Sequence, residues 1–401
     1  MLERLHLSNF KKFNNLELQN LTRINLFVGD NNVGKTTILE AIFTFSCGTN
    51  FSPLLYVPFT HRLQGINLPS PMLLNPYRMA EYILYSFHVD NLEDIPKFNF
   101  NFQGRVKGIP KGEEREITED VEINHQFYPS QIFSEFIPKR SQTWFDSPTL
   151  FNQFDIQDNS GNNRRLTIPS QYLGEWEITS STDKGKKETF SISYPNSIPD
   201  SRLNAPLILT KFSNELSHRD ESENRRIYAA VTRAGIINDF VNEINNSFGM
   251  QIEAIENIPY PDGSESSITL RLKGKNSHIP LYAFGEGLRR WYYLLGGMLI
   301  FQNSLHCIDE IDAGFHHQVQ TSLAKQLFHY AEKYKNQLFM TTHNKEFLKT
   351  FLESVDDLGN NILEQNVRVI TLRMIGESIK CRVLDGKEAL QALNDRLEVR
   401  L

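Results

Sequence analysis

The stretch Gly29-Asp-Asn-Asn-Val-Gly34-Lys35-Thr36 decides the reading of this chain, because it fits the spacing GxxxxGK[ST] residue for residue. Glycines at such positions let the backbone curl into a nest whose N–H groups face phosphate oxygens. Gly29, Asn31, Asn32, Gly34 and Thr37 are the residues expected to form that cradle. Lys35 is expected to reach the β- and γ-phosphates of ATP, and the Thr36 hydroxyl to ligate Mg2+. A loop of this kind needs a strand before it and a helix after it. Arg23-Ile-Asn-Leu-Phe-Val28 is a β-favouring run, and Thr37–Phe45 places Ile38, Leu39, Ile42 and Phe45 on one helical face. That helix points its positive N-terminal end at the loop. A chance match in an unrelated glycine turn would not bring both flanks with it.

A phosphate loop requires an acidic partner elsewhere. Ser304-Leu-His-Cys-Ile-Asp309-Glu310 reads as a short strand delivering two acids at its end. Asp309 is the candidate metal residue opposite Thr36, and Glu310 the candidate catalytic residue that polarises the attacking water. Just before it, Tyr282-Ala-Phe-Gly285-Glu286-Gly287-Leu-Arg289-Arg290 opens a helix with two glycines, a second anion-binding helix mouth. In isolation it would read as a hinge. Past the acidic strand, Phe339-Met-Thr341-Thr342-His343-Asn344 sets a histidine beyond another strand, where a γ-phosphate sensor would sit.

Bulk composition narrows the setting. With 401 residues the chain has room for about two domains or one decorated one, and a net charge of −6 gives no global attraction to nucleic acid. The basic pairs Lys139-Arg140, Arg164-Arg165, Lys184/Lys186/Lys187 and Arg225-Arg226 read as solvated faces unless the fold gathers them into a track. Cys47, Cys307 and Cys381 lie far apart, as in a reducing compartment. The opening residues carry no secretory pattern, and the most apolar run, Trp291–Phe301, is too short to span a bilayer. A cytoplasmic protein without membrane contact is expected. His306, His316 and His317 lack the spacing of a zinc site.

Pattern changes divide the chain into four blocks. Residues 1–50 hold two short strands, with a turn expected around Asn14-Asn15, and the phosphate-loop unit. Residues 51–204 are a β-rich, irregular insertion with short alternating runs at 97–104, 114–127, 164–168 and 189–194. Residues 205–275 form a helical arm, broken near Gly235, followed by paired strands around Pro261-Asp262-Gly263. Residues 276–401 alternate strands and helices and close with a hairpin over 367–384. The alternation predicts an α/β core of layered sheet and helices carrying a large mixed α+β insertion.

Taken in order, these motifs resemble the ABC-type P-loop ATPase heads of the SMC/RecF/OLD branch. Within it the chain looks most like the stand-alone OLD-like (AAA-15) ATPases found in bacterial anti-phage defence systems. Leu5-His-Leu-Ser-Asn9-Phe10-Lys-Lys-Phe13 is similar to the branch's opening, and Asp309-Glu310-Ile-Asp-Ala-Gly314-Phe315-His316-His317 to its DEPE-x-GLHP stretch. Leu390–Arg400 is similar to the C-terminus of the group; residues 50–200 match no family. The resemblance implies that Gly285, Glu286, Gly287 and Arg289 are a signature motif touching the γ-phosphate held by a second copy. It makes Asp312 the D-loop residue, His343 the switch histidine and Gln64 the candidate for the nucleotide-sensing glutamine. It implies ATP and Mg2+ as cofactors, a homodimer or higher oligomer closed around ATP, and a separate effector protein, a nuclease being the leading kind. A serine is absent from the signature and His317 replaces a proline, which favours slow turnover. Asp356-Asp357 and Asp385 do not make the converging carboxylates of a two-metal nuclease. Two rival readings follow: a RecF-like repair ATPase gripping DNA, and a nucleotide-binding module with little hydrolysis.

Overall fold

A computed structural model describes residues 1–48, 99–108, 117–129, 154–157, 163–166, 172–185, 187–195, 206–263, 265–359, 361–376 and 378–395. The N-terminal unit is β1 (Leu2–Phe10), β2 (Phe13–Leu18), β3 (Ile24–Gly29) and α1 (Lys35–Ser46). The second block contributes β4 (Asn99–Gly108), β5 (Ile117–Pro129), β6 (Phe154–Gln157), β7 (Asn163–Leu166), β8 (Tyr172–Thr182) and β9 (Lys187–Pro195). Then follow β10 (Thr210–Ser213), α2 (Glu221–Arg233), α3 (Ile237–Phe248), β11 (Ile252–Pro259), β12 (Ser266–Leu272) and β13 (His278–Pro280). The remainder comprises α4 (Glu286–Ile300), β14 (Leu305–Ile308), α5 (His317–Lys333), β15 (Gln337–Thr341), α6 (Lys345–Asp356), α7 (Ile362–Asn366), β16 (Val367–Ile375), β17 (Ser378–Asp385) and α8 (Gly386–Asn394).

Every residue of β3 is buried, as a central parallel strand covered on both faces must be. It lies in a six-stranded sheet of order β10-β14-β15-β3-β16-β17, parallel except for β17, which returns antiparallel to β16. Alternation sends its side chains to two cores. Ile24, Leu26 and Val28, with Leu338 and Met340 of β15, face a core built by the helices of the C-terminal two-thirds. Phe27 and Phe339 face the other core, with ring centroids 6.4 Å apart, beneath α1 and the second sheet.

That second sheet is antiparallel, in the order β2-β1-β4-β5-β8-β9. β1 carries Leu2, Leu5, Leu7 and Phe10 inward; the step from Leu2 to Leu5 is absorbed by a register shift between Leu2 and Arg4. The turn after β1 falls at Lys11-Lys12, not at Asn14-Asn15 as expected: Phe10 pairs with Phe13, and Asn15 lies within β2 opposite Ser8. Phe10 and Phe13 are both buried, and their pairing sets the register. Strand β4 comes from the insertion yet pairs along β1, Leu5 opposite Gly104 and Leu7 opposite Phe102. Gly104 is required there, since a Cβ would stand 2.3 Å from the Phe45 ring of α1. The α/β layering expected from the sequence is observed, and the described part of the insertion contributes strands. The helical arm is broken as read, with α2 and α3 separated at Gly235, whose φ is +71°.

Candidate functional site

In open parallel sheets ligands bind beyond the carboxyl ends of the strands. Here β3, β10, β14 and β15 deliver Gly29, Ser213, Ile308 and Thr341 to that edge side by side. The turn from β3 into α1 is a strained curl. Gly29 has φ +148° with Leu372 O 2.5 Å from where a Cβ would be, and Gly34 has φ +103° with the Phe13 ring 2.8 Å away. Asn32 tolerates φ +64° as asparagine can. Gly34 caps α1 with no side-chain hydrogen bond, and the first turn of α1 has no acidic residue, so the helix mouth is unblocked for an anion. Asn31 and Asn32 are exposed at this mouth, while Thr37 is buried behind it. Lys35 Nζ donates to Gly29 O (3.0 Å) and Asp30 O (2.8 Å). From the β1–β2 turn, Lys12 Nζ donates to Asn32 O (2.5 Å), and the Lys11–Glu40 ion pair, 2.6 Å long and nearly buried, fixes that turn on α1.

The acidic strand closes on this loop. Thr36 Oγ1 donates to Asp309 Oδ2 at 2.8 Å, and Thr341 Oγ1 donates to Asp309 Oδ1 at 2.5 Å. Burial raises the Asp309 pKa even though both hydroxyls act to lower it, so its charge lacks a full counterweight. Glu310 turns out of the strand with φ +50°, a backbone conformation that costs about 1–3 kcal/mol for a non-glycine residue. Three contacts impose it. The Glu310 N–H donates to Thr341 Oγ1 (2.8 Å), while Arg290 Nη2 donates to both Glu310 O (2.7 Å) and Asp309 O (2.9 Å). The Glu310 pKa is raised by burial first and then by Glu215, against the opposing pull of His343. His343 itself is exposed. Thr342 Oγ1 donates to Asp312 Oδ1 (2.6 Å), which ties the strand end before His343 to the turn after Glu310.

Gly285, Glu286, Gly287 and Arg289 sit at the start of α4. A Cβ on Gly285 would meet nothing within 4 Å, whereas one on Gly287 would stand 2.7 Å from Gly314 O. The helix mouth therefore opens outward and rests on the turn that follows the acidic strand. Thus Thr36, Asp309 and Glu310 converge with Thr341, Asp312 and His343, while the glycine-rich turn joins them from behind through Arg290. Three contributors escaped the sequence reading as site residues: Arg290, Thr341 and Glu215. Arg290 is 1% exposed, and a helical arginine two residues past Leu288 and just before Trp291 was a signal for a buried charge with a purpose. Glu215 had none, because β10 is four residues long and joins β14 only through long-range pairing. Gln64 lies outside the described residues. His306 is buried on β14, pushed down to about 3 by burial, His316 caps α5, and the described residues contain no cluster of three or more His, Cys, Asp or Glu suited to a metal. Asp385 caps α8 and Asp357 pairs with Lys325 at 3.0 Å. No described helix is long and apolar enough to cross a membrane.

A phosphate loop leading off the middle of a parallel sheet, its Thr36 bonded to Asp309 at the end of β14 two strands away, defines an α/β P-loop ATPase. Residues 24–349 match the family described as "AAA domain, putative AbiEii toxin, Type IV TA system", and the chain belongs to that family. It is similar to an ATP/GTP phosphatase of Helicobacter pylori, 23% identical over 367 residues covering 87% of each chain. A shorter stretch of 52 residues is 42% identical to the DNA replication and repair protein RecF of Idiomarina loihiensis, covering 13% of this chain and 15% of that one. Among solved structures, the SMC head domain from Thermotoga maritima overlays with a TM-score of 0.42 at 14% identity, over 96% of this chain and 99% of that one.

Proposed function

We propose that this chain is an ATP-driven switch that pairs with a second copy of itself around nucleotide and controls a separate effector, a nuclease, in bacterial defence against phage. The observation that carries the reading is the 2.8 Å hydrogen bond from Thr36 to Asp309, which joins the phosphate loop to the acidic strand. Backbone N–H groups of Gly29, Asn31, Asn32, Gly34 and Thr37 cradle the phosphates, and Lys35 exchanges its loop carbonyls for phosphate oxygens. Thr36 and Asp309 offer the hard oxygen donors that Mg2+ takes, and the buried Asp309 charge gains a counterion there. When bound, the metal neutralises charge that develops on the transferred phosphoryl group. Glu310 orients water and accepts its proton, a role suited by its raised pKa. His343 stands beside Glu310 as the γ-phosphate sensor. Gly285, Gly287, Arg289 and Asp312 serve the nucleotide of the second copy, with Glu286 at the same helix mouth, because the outward-opening helix mouth has no role toward its own loop. The defence setting is supported by the family's description as a putative toxin of a Type IV TA system.

Turnover and particle mass, measured with and without ATP–Mg2+, test the assignment. Glu310→Gln should lower turnover by about 100-fold or more and trap an ATP-dependent pair, the scale expected for a lost general base. Lys35→Ala should abolish both binding and pairing. Wild-type turnover in Glu310→Gln, with no trapped pair, would remove the assignment. The short likeness to RecF favours a second reading, a repair ATPase that grips duplex DNA. Tight DNA binding that weakens steeply with salt would establish that reading over the first.

A further inference from the structure

The helix mouth at Gly285 carries a carboxylate where an anion is to dock. Glu286 is the first residue of α4, and its charge opposes the approach of a phosphate to the N–H groups there. That carboxylate is held. Oε1 lies 3.4 Å from Arg219 Nη2 and 3.5 Å from His218 Nε2, and the side chain rests on the turn at Gly314. His218 is buried, and both its ring nitrogens lack an aligned hydrogen-bond partner. Burial, then Arg289, pushes its pKa down to about 4, with Arg290 and Arg219 adding to the effect and Glu286 opposing it. The ring is thus neutral near pH 7, a floor under the pair, and Arg219 supplies the positive charge. Arg219 and Glu286 are 55% and 42% exposed, so folding gains little from their contact.

The clamp is anchored at the other end of a short, rigid segment. Ser213 O accepts from Asp309 N (2.8 Å), and Glu215 stands beside Glu310. Asn214 N donates to the Ser217 hydroxyl at 2.9 Å, and that hydroxyl donates to Asn214 Oδ1 at 2.8 Å, beside Tyr293 of α4. One segment, Ser213–Arg219, therefore touches the hydrolytic carboxylates at its start and the glycine-rich turn at its finish.

We propose that Arg219, seated on His218, is an electrostatic clamp on Glu286 that keeps this helix mouth receptive to the phosphate presented by a second copy of the chain, and that its anchorage beside Glu310 ties that receptivity to the subunit's own nucleotide. The proposal rests on the composite-site reading above. Pairing is measured by sedimentation of the full chain with ATP–Mg2+ in a Glu310→Gln background, and ATP binding by the separate subunits with a labelled nucleotide. Arg219→Ala should weaken pairing by about tenfold, the scale of an unrelieved like-charge contact, while binding by separate subunits stays within about twofold. Arg219→Lys should pair like the parent. Glu286→Gln removes the charge that needs clamping, so Glu286→Gln/Arg219→Ala should pair as well as Glu286→Gln alone. A double variant as weak as Arg219→Ala, or an Arg219→Ala chain that pairs normally, overturns the clamp and leaves the composite site standing. A Glu310→Gln parent that never pairs removes the composite site and the clamp with it.

Discussion

Glu310 holds a conformation that its own residue type resists, and the side chains that hold it come from two other elements. Thr341 accepts its N–H, and Arg290 donates to its carbonyl and to that of Asp309. Arg290 is buried and acts as a positioning residue, since it holds the backbone turn that carries the Glu310 carboxylate. Hydrogen bonds from a charged donor of this kind contribute about 1.5–3 kcal/mol each. Replacing Arg290 by Met keeps much of the buried volume and frees the turn. Single-turnover kinetics should show the chemical step slowed by about 10- to 100-fold, the conversion of one such bond to rate, with ATP affinity changed by less than about threefold. An equal loss in affinity and rate would mean that Arg290 supports the phosphate loop instead.

At the scale of elements, α4 packs against α2 through Gly296 and against β10 through Gly297. A Cβ on Gly296 would stand 2.2 Å from Ile227 Cγ2, and one on Gly297 would stand 2.8 Å from Lys211 Nζ. Lys211 has a flexible end that can yield, but Ile227 is β-branched and stiff. Gly296→Ala should therefore destabilise the chain by about 1–2 kcal/mol despite alanine's better helix propensity, as read from urea unfolding. Adding Ile227→Ala should cost less in that background than in the parent, because the clash is relieved. The same elements show what the sequence made legible. The phosphate loop, Asp309 and Glu310 were readable because each sits at a strand end with its own flanking pattern. Helix α4 begins at Glu286, on the glycine-rich turn itself and five residues before the apolar run that starts at Trp291, since Glu286, Gly287 and Arg289 carry little apolar signal. The Lys11-Lys12 turn and the pairing of β4 with β1 were out of reach. Partners roughly a hundred residues apart, such as Leu5 and Gly104, leave no local trace, while the turn goes to Lys11-Lys12 because the buried Phe10–Phe13 pair outweighs the turn preference of Asn14-Asn15.

Besides His218, two more histidines are buried neutral among the described residues, in separate places. His125 lies in the antiparallel sheet against the Phe100 ring at 4.4 Å, and His306 lies on β14. Burial pushes both down to about 3. In the unfolded chain each takes up a proton near its ordinary value of about 6.5, while in the folded chain it stays neutral until far lower pH. Stability is therefore full above about pH 6.5 and falls as pH drops from there toward 3, by up to about 1.4 kcal/mol per pH unit for each histidine. Urea midpoints should decline between pH 7 and pH 5.5, and His306→Asn or His125→Gln should flatten the decline. A midpoint unchanged over that range would show that neither ring is held neutral.

The pairing of β4 with β1 has one more consequence. Strand β1 has two edges, one taken by β2 and the other by the insertion. A version of the chain trimmed to its motif-bearing parts would bare a row of backbone donors and acceptors along β1, together with Phe10 and its apolar neighbours. Raw strand edges recruit other chains. Strand β4 is therefore a seal on that edge as well as a partner in the sheet.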